Sequence, residues 1–323
     1  MKIYKLLILF IATVFVSCTK EVDFTGTQSD PLLVVNGLQQ VGQPARLHVE
    51  KSTFFLDDQP DCRVKDLRVD LYVNGVFEES LKVRDSMLME NYIIWSDTGE
   101  MYVERLRYAF NYCESNYILC EDDEVRFEVS SREFETAIAE VSMLRPPQVI
   151  SFDTVHVETF TDNLTKIRFA LKLDDPSGND YYNLYPQGAL SGFTSSDPVF
   201  ADLTAFEDIE DIFGENEYYG YGPYNMFTDR FFDGSVYSLS METHLYSDEL
   251  YEPFVLEVSR VDMGYYQYTK SYQAYSNSNP DSMIGMFTEP VQVYSNVKNA
   301  IGVVGAQSLP VRFSINLGDG EPQ

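Results

Sequence analysis

"LRVDLYVNGVFEESLKV", Leu67 to Val83, is the stretch whose reading decides the fold class. Leu67, Val69, Leu71 and Val73 occupy every second position, so an extended backbone lays all four on one face, the pattern of a half-buried strand. Asn74-Gly75 then supplies the residue pair that most readily adopts the positive φ angles of a two-residue hairpin, and "VFEESLKV" returns as its partner. Outward from this hairpin the same signal repeats. "LLVVNGL" (Leu32 to Leu38) is a short apolar run, and "ARLHVEKSTFF" (Ala45 to Phe55) alternates. "ENYIIWS", "DEVRFEVSS" and "FETAIAEVSM" continue at regular spacing on the other side. About seven short strands separated by turns predict an immunoglobulin-like β-sandwich over residues 31–145. The Cys–Trp–Cys signature of true immunoglobulin domains is missing, so the expectation concerns architecture alone.

Arg145-Pro146-Pro147 marks a junction, because paired prolines stiffen the chain and interrupt strand pairing. Residues 148–323 form a second β-rich domain. "VISFDTVHVETF" and "TKIRFALKLDD" alternate around a turn near Asp162-Asn163, and "DDPSGND" (Asp174 to Asp180) is a loop. An irregular, acidic, Tyr-rich insertion covers about 194–230. "FFDGSVYSLSMETHLY" and "EPFVLEVSRVD" resume strands. "GYYQYTKSYQAYSNS" is the one helix, with Tyr265, Tyr268 and Tyr272 at helical spacing on its core-facing side. "PVQVYSNVKNAIGVVGAQSLPVRFSI" reads as strand, loop and strand. The fold class is therefore mainly β, with two β-sandwich-like domains.

The start of the chain has a different character. Lys2 and Lys5 precede an apolar run from Leu6 to Val16 that is too short to span a bilayer, and Ser17-Cys18 follows. A small residue before Cys is the cleavage pattern of a lipoprotein. Residues 1–17 are read as a signal peptide, Cys18 as the site of lipid attachment, and 18–30 as a polar, flexible tether. Cleavage leaves 323 − 17 = 306 residues, more than one core usually holds, which favours two domains. The lipid is then the only expected membrane attachment.

The formal charge is −28, from 23 Lys and Arg against 51 Asp and Glu; loss of Lys2 and Lys5 takes it to −30. Such a field repels phosphate backbones, so nucleic acid is excluded as a partner, and it opposes lying flat on anionic lipid. With Cys18 lipidated, Cys62, Cys113 and Cys120 remain, and an odd number allows at most one internal disulfide. Cys113 and Cys120 are the candidate pair, and Cys62 could take either place. His48, His156 and His244 are scattered and read as structural. No nucleophile elbow, zinc-binding helix motif or phosphate-cradling glycine loop occurs, so no catalytic residue, metal or cofactor is assigned and no enzyme is expected.

Three weaker features remain. Asp174, Asp175, Asn179 and Asp180 offer several oxygens in one turn, as calcium requires, although the spacing departs from an EF-hand and Pro-Ser-Gly is ordinary turn chemistry; the question stays open. Glu207, Asp208, Glu210 and Asp211 read as a solvated face. In "EYYGYGPYNMF", Tyr218, Tyr219, Tyr221 and Tyr224 on a Gly-punctuated loop make a candidate contact surface for a ligand or partner. Asp85-Ser86-Met87, Asp153-Thr154-Val155 and Asp281-Ser282-Met283 match the Asp-Ser/Thr-apolar pattern of O-glycosylation in Bacteroidota exported proteins, making Ser86, Thr154 and Ser282 candidate acceptors.

"SDPLLVVNGL", "VKDLRVDLYVNGV", "DGSVYSL", "YYQYTKSYQAY" and above all "MFTEPVQVYSNVKNAIGVVGAQS" (Met286 to Ser308) resemble a domain-of-unknown-function family of Bacteroidota outer-membrane lipoproteins, whose members are often encoded beside TonB-dependent receptors. Glu289-Pro290-Val291 and Tyr294-Ser295-Asn296 are the best anchors. "AIGVVGAQS" departs from the Gly-rich step with Phe that is usual there. Lys20, Glu21 and Asp23 are similar to the lysine-plus-acidic signal that sends such lipoproteins to the outer face of the outer membrane, with Val22 interrupting the acidic pair. The resemblance implies a surface-exposed, lipid-anchored accessory or ligand-binding partner of a TonB-dependent receptor. The competing expectation is a surface adhesin or structural module with no transport role. The family brings no catalytic residues.

Intact-mass measurement of the purified chain tests two of these expectations together. The expected mass is that of the lipidated 306-residue polypeptide plus glycan; the mass of the lipidated polypeptide alone would remove the three glycosylation sites.

Overall fold

The computed structural model describes residues 30–53, 61–95, 101–161, 164–188, 192–200, 218–221, 225–246, 253–277 and 291–316. They form a mainly β molecule whose alternating sequences fill two hydrophobic cores. In the first half lie β1 (Leu33–Gln40), β2 (Pro44–Lys51), β3 (Arg68–Val73), β4 (Val76–Ser80), β5 (Lys82–Trp95), β6 (Met101–Ile118), β7 (Glu124–Ser130) and β8 (Ala137–Ser142). The β3–β4 hairpin turns through Asn74 and Gly75, both at positive φ, as the Asn-Gly pair predicts. Val69 and Leu71 on β3 are fully buried. They face Val35, Leu47 and Val49 from β1 and β2, with Phe127 and Val129 of β7 beside them. Burying each such side chain stabilises the fold by roughly 1.5–3 kcal/mol. The four-stranded sheet β4-β3-β7-β8 thus covers one side of this core, and β1, β2 and β6 cover the other.

The second half contains β9 (Gln148–Thr161), β10 (Leu164–Asp174), β11 (Tyr181–Gly188), β12 (Gly192–Ser195), β13 (Tyr218–Tyr221), β14 (Asn225–Thr228), β15 (Val236–Tyr246), β16 (Phe254–Val261), helix α1 (Met263–Asn277), β17 (Val304–Gln307) and β18 (Val311–Ile315). A five-stranded sheet, β13-β12-β15-β10-β9, packs its Ile167, Phe169, Leu171 and Leu239 against Leu184, Phe227, Phe254 and Leu256 of β11, β14 and β16. This core is aromatic, with the Phe169 and Phe254 rings stacked at 4.1 Å.

One nine-stranded sheet serves both cores, in the order β14-β11-β16-β17-β1-β2-β6-β5, with β18 also paired to β16. The join is β17. It pairs with β1 in the only parallel strand pair among the described residues, Gly37 opposite Val304 through Gln40 opposite Gln307. On its other edge Ala306 N–H donates to Asp262 Oδ1 (2.7 Å). Asp262 also caps α1, accepting from Gly264 N–H (3.0 Å) and Tyr265 N–H (3.2 Å). In the segment before β17, Asn296 is bonded through both ends of its side-chain amide. Asn296 Nδ2 donates to the Val304 carbonyl (2.8 Å), and Val304 N–H donates to Asn296 Oδ1 (2.9 Å).

Several expectations are corrected. Cys113 and Cys120 carry free thiols. Cys113 lies within β6 and Cys120 two residues beyond its end, so the extended strand sets them on the order of 20 Å apart, too far for a disulfide. Residues 291–297 alternate in sequence yet form no strand, because Asn296 commits the segment to a tight return onto Val304. "ENYIIWS" is not a separate short strand but the outer half of the 14-residue β5. The insertion expected to be irregular contributes β12, β13 and the largely buried strand β14 at its ends. On α1 the buried side chains among the described residues are Tyr266 and Thr269, 3% exposed each, with Gly264 buried at the helix start. Tyr272 is 49% exposed and stacks on Tyr268 rather than entering a core.

Gly302 fixes the approach of the β17 segment to β1. Its φ is +121°, and a Cβ there would stand 2.1 Å from the Val35 carbonyl oxygen. Gly302→Ala is expected to lower unfolding free energy by about 3 kcal/mol or more, read from urea denaturation midpoints. A variant within about 1 kcal/mol of wild type would show that the close approach is not a constraint.

Candidate functional site

The chain crosses between the two sheets of the second core twice at the same end. From β10 it passes through 175–180 into β11, and from β14 it passes through 229–235 into β15. Since β10 pairs with β15 and β11 with β14, the two crossings run side by side. Asp175 N–H donates to the Ser235 carbonyl (3.3 Å), and Asp229 N–H donates to the Asp180 carbonyl (3.1 Å). Asp-Pro-Ser-Gly and Asp-Gly-Ser supply the turn chemistry that lets the backbone bend sharply here. Gly234, at φ +68°, comes so close to Ser177 that a Cβ would stand 2.8 Å from its hydroxyl.

Four aspartates meet at this place. Asp175, Asp180 and Asp229 are 4%, 5% and 4% exposed, while Asp233 stands at the surface. One carboxylate oxygen from each of Asp175, Asp229 and Asp233 lies within 4.8 Å of the other two. Fixed donors hold them. Gly234 N–H donates to Asp175 Oδ2 (2.9 Å), Asp180 N–H to Asp229 Oδ2 (2.9 Å), and Gly178 N–H to Asp233 Oδ1 (2.9 Å). The Tyr182 hydroxyl donates to Asp175 Oδ1. Arg260 on β16 pairs through Nη2 with Asp180 Oδ1. Asp180 Oδ2 is buried and has no hydrogen-bond partner. The rings of Phe227 and Phe232 lie 5.3 and 6.3 Å from that of Tyr182 and close the floor.

The charges are unbalanced: three carboxylates cluster here, and the one guanidinium, Arg260, is paired with a fourth, Asp180. Burial, reinforced by the charges of Asp175 and Asp233, pushes the Asp229 carboxyl up to about 6. Burial also pulls the Arg260 guanidinium below its usual range, against the opposing pull of Asp175. Tyr182 is held far above the phenolic range, first by burial and then by its bond to Asp175. The group therefore offers hard oxygen donors, with no thiol or imidazole among its named partners.

Of the residues singled out from sequence, Asp175 and Asp180 reach this site, while Asp174 and Asn179 of the same loop point to solvent. Tyr218, Tyr219 and Tyr221 belong to a strand, β13, paired with β12, rather than to a loop. Tyr224, Cys18, Lys20, Glu21, Asp23, Ser282 and the acids at 207, 208, 210 and 211 lie outside the described residues. Ser86 is half-buried on β5 and Thr154 exposed on β9. Sequence reading missed Asp229, Asp233, Tyr182 and Arg260. The available signal was the Asp-Gly turn at 233–234, which opens a strand just as "DDPSGND" closes one.

Compared with known protein families, residues 19–309 match the model described as "Domain of unknown function (DUF4249)", a span that includes both crossings and the β17 join. The comparison with curated proteins found no match.

Asp229 gives the site a pH signature. Its carboxyl titrates near 6 in the folded chain against an ordinary 3.8, so the folded state binds this proton more tightly than the unfolded state. That contribution to stability is complete below about pH 4 and disappears as pH rises through 6. In EGTA buffer, Asp229→Asn is expected to gain on the order of 2 kcal/mol over wild type between about pH 4.5 and 7.5, as judged by urea unfolding. Parallel pH profiles for the two proteins would contradict the assignment.

Proposed function

The chain belongs to the DUF4249 family, and from that premise we propose that it is a lipid-anchored outer-membrane protein, facing the cell exterior, that works as the accessory or ligand-binding partner of a TonB-dependent receptor. The observation that carries the proposal is the reach of the family match, which begins one residue after Cys18 and runs through nearly all of the mature chain. The resemblance to lipoproteins encoded beside such receptors therefore applies to the whole body of the protein. No catalytic motif is recognisable, and the role is one of binding rather than catalysis.

The backbone supports a docking role. β5 and β6 pair without interruption from Lys82–Glu114 to Trp95–Met101, but β2 accompanies β6 only between Asn111 and Ile118. The eight outer pairs, from Leu88–Tyr108 to Trp95–Met101, have no third strand among the described residues. At about 3.3 Å per residue this ribbon extends roughly 25 Å. Two-stranded ribbons are marginal in water without further packing, so an arm of this length is suited to a partner. In this reading the first core, an immunoglobulin-like sandwich over 31–145, carries the arm. The second domain, 148–323, with Tyr218, Tyr219, Tyr221 and Tyr224, faces solute or receptor.

The test is affinity purification of the tagged, full-length protein from gently solubilised outer membranes. One TonB-dependent receptor in near-equal amount is expected with wild type. It should be lost from a variant in which a two-residue turn joins Met87 to Ala109. Recovery of the lipoprotein alone from wild type would favour the adhesin reading.

A further inference from the structure

We propose that the double crossing between β10–β11 and β14–β15 is a calcium site, with Asp175, Asp229 and Asp233 as carboxylate ligands and Asp180 facing the ion from the β11 side. This inference is independent of the receptor proposal.

The first observation is metric. The three ligand oxygens lie within 4.8 Å of one another. Calcium takes oxygen ligands at about 2.4 Å, so ligands on opposite sides of one ion are about 4.8 Å apart. Magnesium dehydrates reluctantly and is usually held by one or two carboxylates with several waters, and zinc would favour nitrogen or sulfur.

A second observation comes from a residue outside that trio. Asp180 is 5% exposed, and its Oδ2 has no hydrogen-bond partner. It stands opposite Asp229, one register step beyond the Tyr181–Thr228 pair, and opposed residues in an antiparallel ladder carry their side chains on the same face. That is the face on which Tyr182 and Phe227, two residues further along each strand, enter the second core. Asp180 therefore looks into the space where Asp175 and Asp229 meet. A buried carboxylate oxygen without a donor is costly, and a cation is the partner that four carboxylates and one guanidinium together lack.

The surroundings are those of a built site. Gly234 N–H, Asp180 N–H, Gly178 N–H and the Tyr182 hydroxyl each hold one carboxylate oxygen in place. Every such oxygen has two lone pairs, so a donor fixes its orientation and still leaves capacity for an ion. Loop carbonyls and water would complete the six to eight ligands that calcium accepts.

The test uses the full lipidated chain in detergent, stripped with EGTA. Adding 1 mM CaCl2 is expected to raise the thermal midpoint by about 5 °C, and calorimetry should show one ion per chain. Asp233→Asn is the decisive variant. Its position is exposed, its amide oxygen still accepts from Gly178 N–H, and its repulsion of Asp229 is relieved, so in EGTA it should melt no lower than wild type. It should lose at least tenfold in calcium affinity. Asp229→Asn should lose the response as well. The proposal is overturned by an unchanged midpoint at 10 mM CaCl2, by a calcium response that Asp233→Asn leaves intact, or by an equal response to MgCl2.

Discussion

A strand of four residues, Val304–Gln307, must satisfy hydrogen bonds on both of its edges, and the shared sheet depends on its doing so. On one edge it meets β1 in parallel; on the other it meets β16 and the Asp262 carboxylate. Asp262 is the point at which sheet and helix are joined. Burial pushes its carboxyl up, and the backbone donors of Ala306, Tyr265 and Gly264 oppose that push. The helix start, the β17 edge and the end of β16 thus converge on one side chain. Space is equally short: a Cβ on Gly305 would stand 2.6 Å from the Tyr265 Cβ. Asn296, one of the residues that anchor the family resemblance, and Gly302 and Gly305 after it are therefore occupied with construction.

The molecule buries acids in two different ways. At Asp262 both oxygens accept backbone N–H groups, and burial and those donors are the largest influences on its carboxyl. At the double crossing, Asp229 feels Asp175 and Asp233 in addition to burial. Backbone dipoles can neutralise one buried carboxylate locally, but they do not cancel the mutual repulsion of several. The first arrangement is complete in itself, whereas the second retains an excess of negative charge.

How much of this could be read from sequence follows from how local each signal is. β3 was legible because one of its faces is core and the other is not, so its side chains alternate. β14 was hidden because Asn225, Met226 and Phe227 are all buried and leave no period. The spacing of the tyrosines revealed α1, but which side of it is buried depends on the sheet beneath, which takes Tyr266. Cys113 and Cys120 are near neighbours in sequence, and an extended backbone is what separates them. Half of the acidic site was visible as a loop. The other half comes from hydrogen bonds that span 49 to 59 residues, and these exist only once the strand register is set.

The splice between β1 and β17 also orders events in time. The Asn36 side chain accepts from Val303 N–H across 267 residues of chain. A polypeptide made from its N-terminus can assemble β2, β3, β6 and β7 early, but the outer edge of β1 has no partner until the last segment arrives. Contacts between such distant positions slow folding, and an unpaired strand edge is a template for mispairing. A chain cut short before residue 304 would carry a nearly complete first core with an open seam along Gly37–Gln40. Closing that seam is what the β17 segment adds to the first core.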